Sequence, residues 1–333
     1  MKAAVLGDGA WGSALACLLC ANQHQVTLWG PFPDYIEKMR AERVNSRFLP
    51  TLTFPPELSL TADLAAAVDG AELIVLASPT QYARGVLAKL PPVLGKKPGR
   101  IFVNVAKGIE TGSLKRLSEI VAEELGEVNY AVLSGPSHAE EVAQRIPTAV
   151  TVAARDQRTC ETLQKAFMND RFRVYHSDDI VGLELGGALK NVIAIAAGVV
   201  DGMKLGDNPK AALLARGVAE MSRLGKAMGG RPETFAGLSG IGDLIVTCYS
   251  GHSRNRFVGE KLGAGMKASQ ALALLGMAVA EGVPTTLSAH ETAQRLKVDT
   301  PIINELHQVI YHDKSAAQSI NDLMSRAAKP EFS

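Results

Sequence analysis

Residues 3 to 20 read AAVLGDGAWGSALACLLC, and how this stretch divides decides the fold. Four apolar residues run into Gly7-Asp8-Gly9-Ala10-Trp11-Gly12, and a helix-like apolar segment follows from Ser13 to Cys20. Strand, glycine turn and helix in succession give G-x-G-x-x-G the setting in which it has a mechanism. Gly7 permits the tight turn, Gly9 lets backbone N–H groups reach a pyrophosphate, and Gly12 lets the helix pack closely. The N-terminus of that helix favours an anion. The glycine pattern alone is weak; at the start of a βαβ unit it points to dinucleotide binding.

The alternation begun there continues. Short β-rich runs recur as AAVLG (3–7), VTLW (26–29), LIVLA (73–77), IFVNVA (101–106) and YAVLSG (130–135), with helical patterns between them. That is the signature of a parallel sheet covered on both faces. TAVTVAA (148–154) and FRVYHS (172–177) extend the sheet, partly antiparallel. After Ser177 long Ala/Leu/Gly-rich helical segments follow one another without a convincing strand. The expected fold is a Rossmann domain, an α/β unit with a mostly parallel, doubly wound sheet over 1–185, then an all-α domain over 186–333. The boundary falls between about 178 and 190.

Bulk properties narrow the partners. At 333 residues with 47% hydrophobic content the chain is long enough for two domains. Lys+Arg of 35 against Asp+Glu of 34 leaves a net charge of +1, without the basic excess of nucleic-acid binding or a polybasic membrane anchor. Small molecules or protein are the expected partners. Cys17 and Cys20 form CLLC in an apolar helix and read as core thiols; Cys160 and Cys248 stand alone, the histidines lack ligand spacing, and no metal site is expected. The N-terminus superficially resembles a signal peptide, but Asp8 and three glycines break any apolar core region. No stretch reaches the roughly 20 uninterrupted apolar residues of a membrane span. A soluble protein in a reducing compartment is the expectation.

Five further features carry chemistry. ELGGALKNVIAIAAGVV (184–200) places Lys190 and Asn191 in an apolar run at the domain junction, where ligands bind. The helical neighbours of Lys190 are Gly186, Gly187, Ile193 and Ala194, small enough for another backbone or a ligand to approach. Lys107 follows the fourth predicted strand at the carboxyl edge of the sheet, as a ligand group or a solvated loop lysine. In SGPSHAE (134–140), Ser137 and Glu140 form an S-x-x-E capping box whose helix N-terminus faces the same cleft. Asp243, between glycines and an apolar segment, is expected to be partly buried and in want of a cation. Ser253-Arg254-Asn255 offers a hydroxyl, a guanidinium and an amide before another helix, suited to a phosphate dianion or to capping.

The second strand ends in Trp29-Gly30-Pro31-Phe32. No carboxylate stands there for ribose hydroxyls and no arginine for a 2′-phosphate. NAD or NADP thus stays open, the missing arginine favouring NAD.

Together these segments resemble the NAD(P)-dependent glycerol-3-phosphate dehydrogenase family over nearly the whole chain. The resemblance rests on GxGxWG (7–12), AKG (106–108), SGPSHAEEVA (134–143), GALKNVIAIAAG (187–198) and SGIGDLIVTCYSGHSRNR (239–256). It implies reversible reduction of dihydroxyacetone phosphate to sn-glycerol 3-phosphate, glycerophospholipid precursor supply, a homodimer and a cytoplasmic setting. By motif, Lys190 resembles the proton-transferring residue and Lys107 and Asp243 its close partners. Gly135, Ser137, Ser253, Arg254 and Asn255 match substrate contacts. Ala10, Trp11, Phe32, Lys107, Ala139, Arg254, Val279 and Glu281 match cofactor contacts, with Gly7, Gly9 and Gly12. Pro31-Phe32 departs from the basic or polar residues often found there. Another two-domain β-hydroxyacid dehydrogenase, or a dinucleotide sensor without catalysis, is the alternative; the Ser253-Arg254-Asn255 turn and the Lys190, Lys107 and Asp243 set argue against each in turn. Asn191 is left to cap, bridge or touch substrate.

Overall fold

The structure, a computed structural model, describes every residue except 96, 329, 332 and 333. Eight strands form one sheet: β1 (Lys2–Leu6), β2 (Gln25–Trp29), β3 (Ser59–Thr61), β4 (Leu73–Leu76), β5 (Ile101–Asn104), β6 (Asn129–Ser134), β7 (Thr148–Ala154) and β8 (Phe172–Ser177). Their order is β8-β7-β6-β5-β4-β1-β2-β3. Strands β1 to β6 run parallel, β7 runs antiparallel to β6, and β8 parallel to β7. Every residue of β4 and β5 is buried, as both faces of a doubly wound sheet require. Strand β3 escaped the sequence reading because it has three residues and one apolar side chain, Leu60. A small hairpin pairs Val44–Asn45 with Leu49–Thr53; its first strand has two residues and its second carries Pro50 and two threonines, too little for a strand pattern.

The strand order reverses between β1 and β4, which opens a crevice at their carboxyl ends. Gly7 sits at that point with φ +135°, and a Cβ there would lie 2.6 Å from the Ala77 carbonyl carbon. A Cβ on Gly12 would lie 2.0 Å from Gly7 O. Gly9, by contrast, faces open space and precedes helix α1 (Ala10–Ala21), whose first turn has no side-chain cap. The three glycines therefore do the three jobs their spacing implies.

Beyond β8 the described residues form helices joined by loops. Those that build the site, with the short α2 (Ala139–Ala143) from the first half, are α3 (Ile180–Gly202), α4 (Asp207–Ala227), α5 (Asp243–Tyr249), α6 (Arg254–Gly263), α7 (Gly282–Leu296) and α8 (Pro301–Tyr311). Helix α3 starts at Asp179, whose side chain accepts from Gly182 N at 2.8 Å. It passes a length-and-composition test for a membrane span, yet 83% of its most apolar window is buried in protein, which makes it the core helix. Its Leu189 and Ile193 share one core cluster with Met221, Leu244 and Val258 from the helices around it. Helix α6 crosses it with backbones nearly touching: a Cβ on Gly259 would lie 1.9 Å from Ile195 O, and one on Gly198 2.0 Å from Arg256 O.

Near its start α3 is fastened to the sheet unit by buried Glu184. That carboxylate accepts from Arg116 Nη1 at 2.7 Å, Ser118 N at 2.8 Å, Ser118 Oγ at 2.7 Å and Tyr130 OH at 2.6 Å. Removing it would leave buried donors unpaired, the expensive way to lose a polar network. The helix bearing Lys190 is thus registered against β6.

Candidate active site

Lys190 Nζ donates to Thr247 Oγ1 at 2.6 Å and lies 2.9 Å from Asp243 Oδ1. Lys107 Nζ donates to the other carboxylate oxygen, Asp243 Oδ2, at 2.6 Å, and to Gly135 O at 3.0 Å. One buried carboxylate therefore serves two ammonium groups delivered by different halves of the chain. Thr247 stands one helical turn beyond Asp243 on α5, and its hydroxyl donates to Asp243 O at 2.6 Å, which leaves Oγ1 free to accept from Lys190.

The charges follow from this geometry. Burial pushes the Lys190 ammonium down to about 8; Asp243 opposes the shift and Lys107 adds to it. Burial alone would raise the Asp243 carboxyl, but Lys107 and Lys190 together hold it below the usual carboxylate range. His138 is pushed down to about 4 by burial and then by Lys190, so its imidazole is neutral at pH 7. With two ammonium groups and one carboxylate, the cluster keeps surplus positive charge at the cleft.

A cleft of about 220 Å³ opens over these groups. Of the residues expected from sequence, Ala10, Trp11, Lys107, Ser137, Ala139, Lys190, Ser253, Arg254, Asn255, Val279 and Glu281 line it. Asp243 lies behind the lysines, and Gly135 contributes through its carbonyl. Gly7, Gly9 and Gly12 shape the floor of the turn, while Phe32 is half exposed at the end of β2, outside the lining. Glu140, read in the sequence only as a capping residue, lines the cleft too, as do Phe48, Val105, His138, Thr247 and His252, which the sequence did not single out. The position of Thr247 at i+4 from Asp243 is a signal for one of them, and Val105, His138 and His252 stand one or two residues from Lys107, Ser137 and Ser253; Phe48 is brought in by the hairpin after β2.

One detail corrects the sequence reading, and a second decides between its alternatives. Ser137 does not cap a helix: α2 begins after His138, without a side-chain cap, and Ser137 Oγ donates to Gly135 O at 2.9 Å. The small residues beside Lys190 clear protein rather than ligand. A Cβ on Gly187 would lie 2.9 Å from Ser134 Oγ and 3.3 Å from Lys107 Cγ, and one on Gly186 would lie 2.6 Å from Ser239 O.

Asn191 is a bridge. Its Nδ2 donates to Lys107 O at 3.0 Å, its Oδ1 accepts from Asn255 Nδ2 at 2.9 Å, and Asn255 Oδ1 accepts from Gly282 N at 2.9 Å. Glu281, just before α7, reaches the sheet unit as well: it accepts from Thr80 N at 2.7 Å and Lys107 N at 3.4 Å. These bonds tie α3, α6 and α7 to the loops after β4 and β5. Ser253 caps α6, its Oγ accepting from Arg256 N at 3.2 Å, so the exposed Arg254 stands at a helix N-terminus.

A dinucleotide fits the turn. The first N–H groups of α1 have no side-chain cap, Gly9 leaves open space in front of them, and Trp11 Nε1 is a buried donor without a partner among the described residues. The cysteines are free thiols, with burial pushing Cys17 up to about 12 and Cys20 to about 11, against a redox role. Among the described residues no cluster of metal-ligating side chains occurs.

Residues 2–160 match the NAD-dependent glycerol-3-phosphate dehydrogenase N-terminus, and residues 179–321 the C-terminus of the same family. The chain belongs to the NAD-dependent glycerol-3-phosphate dehydrogenase family. It is 49% identical to a glycerol-3-phosphate dehydrogenase [NAD(P)+] of Geobacter sulfurreducens over 330 residues, covering 98% of each chain. The protein of that name from Lysinibacillus sphaericus is also 49% identical, over 99% of this chain and 98% of its own. A crystal structure of glycerol-3-phosphate dehydrogenase from Coxiella burnetii superposes with a TM-score of 0.93 at 39% identity, covering 98% of this chain and 99% of that one. Family membership agrees with the Rossmann sheet and helical second half found here.

Proposed function

We propose that Lys190 is the proton donor and acceptor in the interconversion of sn-glycerol 3-phosphate and dihydroxyacetone phosphate, the NAD(P)-dependent oxidoreductase activity of this family. The observation that carries the assignment is the Lys190–Asp243–Lys107 cluster at the cleft between the two halves. We take the chain to work as two units meeting at α3: a dinucleotide-binding unit up to the junction near residue 180 and a helical substrate-binding unit after it.

The glycine turn, Trp11 and Glu281 would hold a nicotinamide dinucleotide, which would supply or take up a hydride at the substrate's central carbon. In the reductive direction negative charge develops on the ketone oxygen, and Lys190 Nζ gives that oxygen a proton as it forms. Thr247 and Asp243 hold the ammonium in place, and Lys107 adds positive potential on the same side. In the oxidative direction the neutral amine of Lys190 takes the alcohol proton. An ammonium held near 8 serves both directions better than one at its ordinary value, because an appreciable fraction of each form exists near neutrality.

Gly135, Ser137, Ser253, Arg254 and Asn255 are the proposed substrate contacts, with the Arg254 guanidinium and the N-terminus of α6 facing the phosphate dianion. Gly7, Gly9, Ala10, Trp11, Gly12, Ala139, Val279 and Glu281 are the proposed cofactor contacts, with Lys107 and Arg254 shared between cofactor and substrate. Phe32, half exposed at the end of β2, is proposed as an adenosine-side contact. A cytoplasmic homodimer supplying glycerophospholipid precursors is part of this reading and rests on the resemblance. Following NADH and NADPH absorbance with dihydroxyacetone phosphate, and with unphosphorylated ketoacids, tests it. Turnover confined to the phosphorylated ketone is expected; turnover of ketoacids alone would overturn the substrate assignment.

A further inference from the structure

The end of β2 lacks the acidic residue that usually takes ribose hydroxyls, and nothing near it in sequence replaces that residue. The fold brings two charged side chains there from elsewhere. Asp8, inside the glycine turn, lies over Gly30, so that a Cβ on Gly30 would fall 2.4 Å from Asp8 Oδ2. Asp8 is only 8% exposed, and this oxygen is buried without a hydrogen-bond partner among the described residues. A buried carboxylate oxygen without a partner is costly unless something is to fill the place.

Arg47 comes from the hairpin that follows β2. Its guanidinium carbon lies 4.0 Å from the centre of the Tyr35 ring, and its backbone N–H donates to Tyr35 OH at 2.9 Å. Tyr35 OH donates to Asn45 Oδ1 at 2.6 Å, and Asn45 Nδ2 donates to Asp8 O at 2.7 Å and Ser13 Oγ at 2.8 Å. The arginine is thereby registered to the glycine turn through a short chain of bonds. Its guanidinium makes no hydrogen bond or ion pair with any described residue. The neighbouring cations are engaged: Arg40 with Glu37 and Leu60 O, Arg43 with Leu58 O at 3.0 Å, Lys38 with Glu42. A stacked guanidinium with its planar donors unspent is equipment for a phosphate or carboxylate. Phe48, the next residue, lines the cleft.

We propose that Arg47 holds the 2′-phosphate of NADP(H), which makes it the determinant of cofactor choice. The expectation of NAD from sequence rested on the absence of an arginine at the strand end; the hairpin delivers one that lies 18 residues after Trp29. The proposal rests on dinucleotide binding at the glycine turn, and NADH binding by the unaltered protein tests that separately.

The experiment is titration of the unaltered protein, Arg47→Ala and Arg47→Lys with NADPH, NADH and adenosine 2′,5′-bisphosphate. Arg47→Ala is expected to weaken NADPH and the bisphosphate about tenfold or more, the loss of one charge-assisted contact, with NADH unchanged within about twofold. Arg47→Lys should fall between, as a point charge without the planar fork. An equal loss for NADH and NADPH, or no loss for either, would overturn the proposal. Failure of the unaltered protein to bind NADH would instead overturn the dinucleotide site.

Discussion

Lys190 meets Asp243 at 2.9 Å on one carboxylate oxygen, Oδ1, while the second oxygen is spent on Lys107 at 2.6 Å. The Asp243 carboxylate is therefore shared, and burial, the largest influence, with Lys107 adding to it, brings the Lys190 ammonium down to about 8 in spite of a carboxylate in contact. A lysine with the carboxylate to itself would be held charged, and a lysine with no partner would pay for its burial in full.

The consequence is a pH dependence of opposite sign in the two directions. With Lys190 as the proposed proton donor, ketone reduction would use its charged form, so the rate should fall as pH rises through about 8; alcohol oxidation would use the neutral amine and should rise over the same interval. Lys190→Ala should cost turnover by several orders of magnitude in both directions while reduced-cofactor binding survives, measured by steady-state absorbance and by fluorescence titration. Retention of a limb near pH 8 in Lys190→Ala would mean that another group titrates.

Arg254 stands exposed at the start of α6 beside the capping Ser253. Arg254→Ala should raise KM for dihydroxyacetone phosphate by roughly ten- to a hundredfold, since a charge-assisted contact to a dianion is lost, and should weaken inorganic phosphate as a competitor in parallel. The fold should not suffer, because the cap is made by Ser253. An unchanged KM would take the phosphate away from this turn.

What the sequence conveyed and what it concealed divide along physical lines. The first five strand runs, from Ala3 to Gly135, were legible because buried parallel strands must be nearly continuous in apolar residues, TAVTVAA and FRVYHS by their β-branched and aromatic content, and the glycine turn because each glycine answers a steric demand. Strand Ser59–Thr61 was illegible, having only Leu60 to announce it. In the site, Lys190, Lys107 and Asp243 stood out singly, but their sharing of one carboxylate joins residues up to 136 positions apart, which no local pattern encodes. The capping box at Ser137 shows the converse failure: its spacing was right, yet the helix starts after His138, one residue too late for Ser137 to cap it, and the hydroxyl donates to Gly135 O. Asn191 could not be resolved in sequence because its partners, Lys107 O and Asn255, come from a sheet loop and another helix.

A last test concerns stability rather than turnover. Glu220 on α4 is buried, with its carboxylate on the N-terminus of α8, accepting from Ile302 N at 2.7 Å and Ile303 N at 3.2 Å. Burial pushes it up to about 7, although these two bonds pull the other way. An acid whose folded value exceeds its unfolded one stabilises the fold fully below the unfolded value and loses that contribution as pH rises through the folded value. The stabilisation should therefore be present near pH 4 and lost between about pH 4.5 and 7. Glu220→Gln keeps an oxygen for the α8 N–H groups and removes the charge, so it should stabilise the protein relative to the parent by roughly 1–2 kcal/mol at pH 8, with the difference shrinking towards pH 5. Urea unfolding of both proteins at the two pH values measures it; a difference that is the same at pH 5 and pH 8 would show that Glu220 does not titrate on folding.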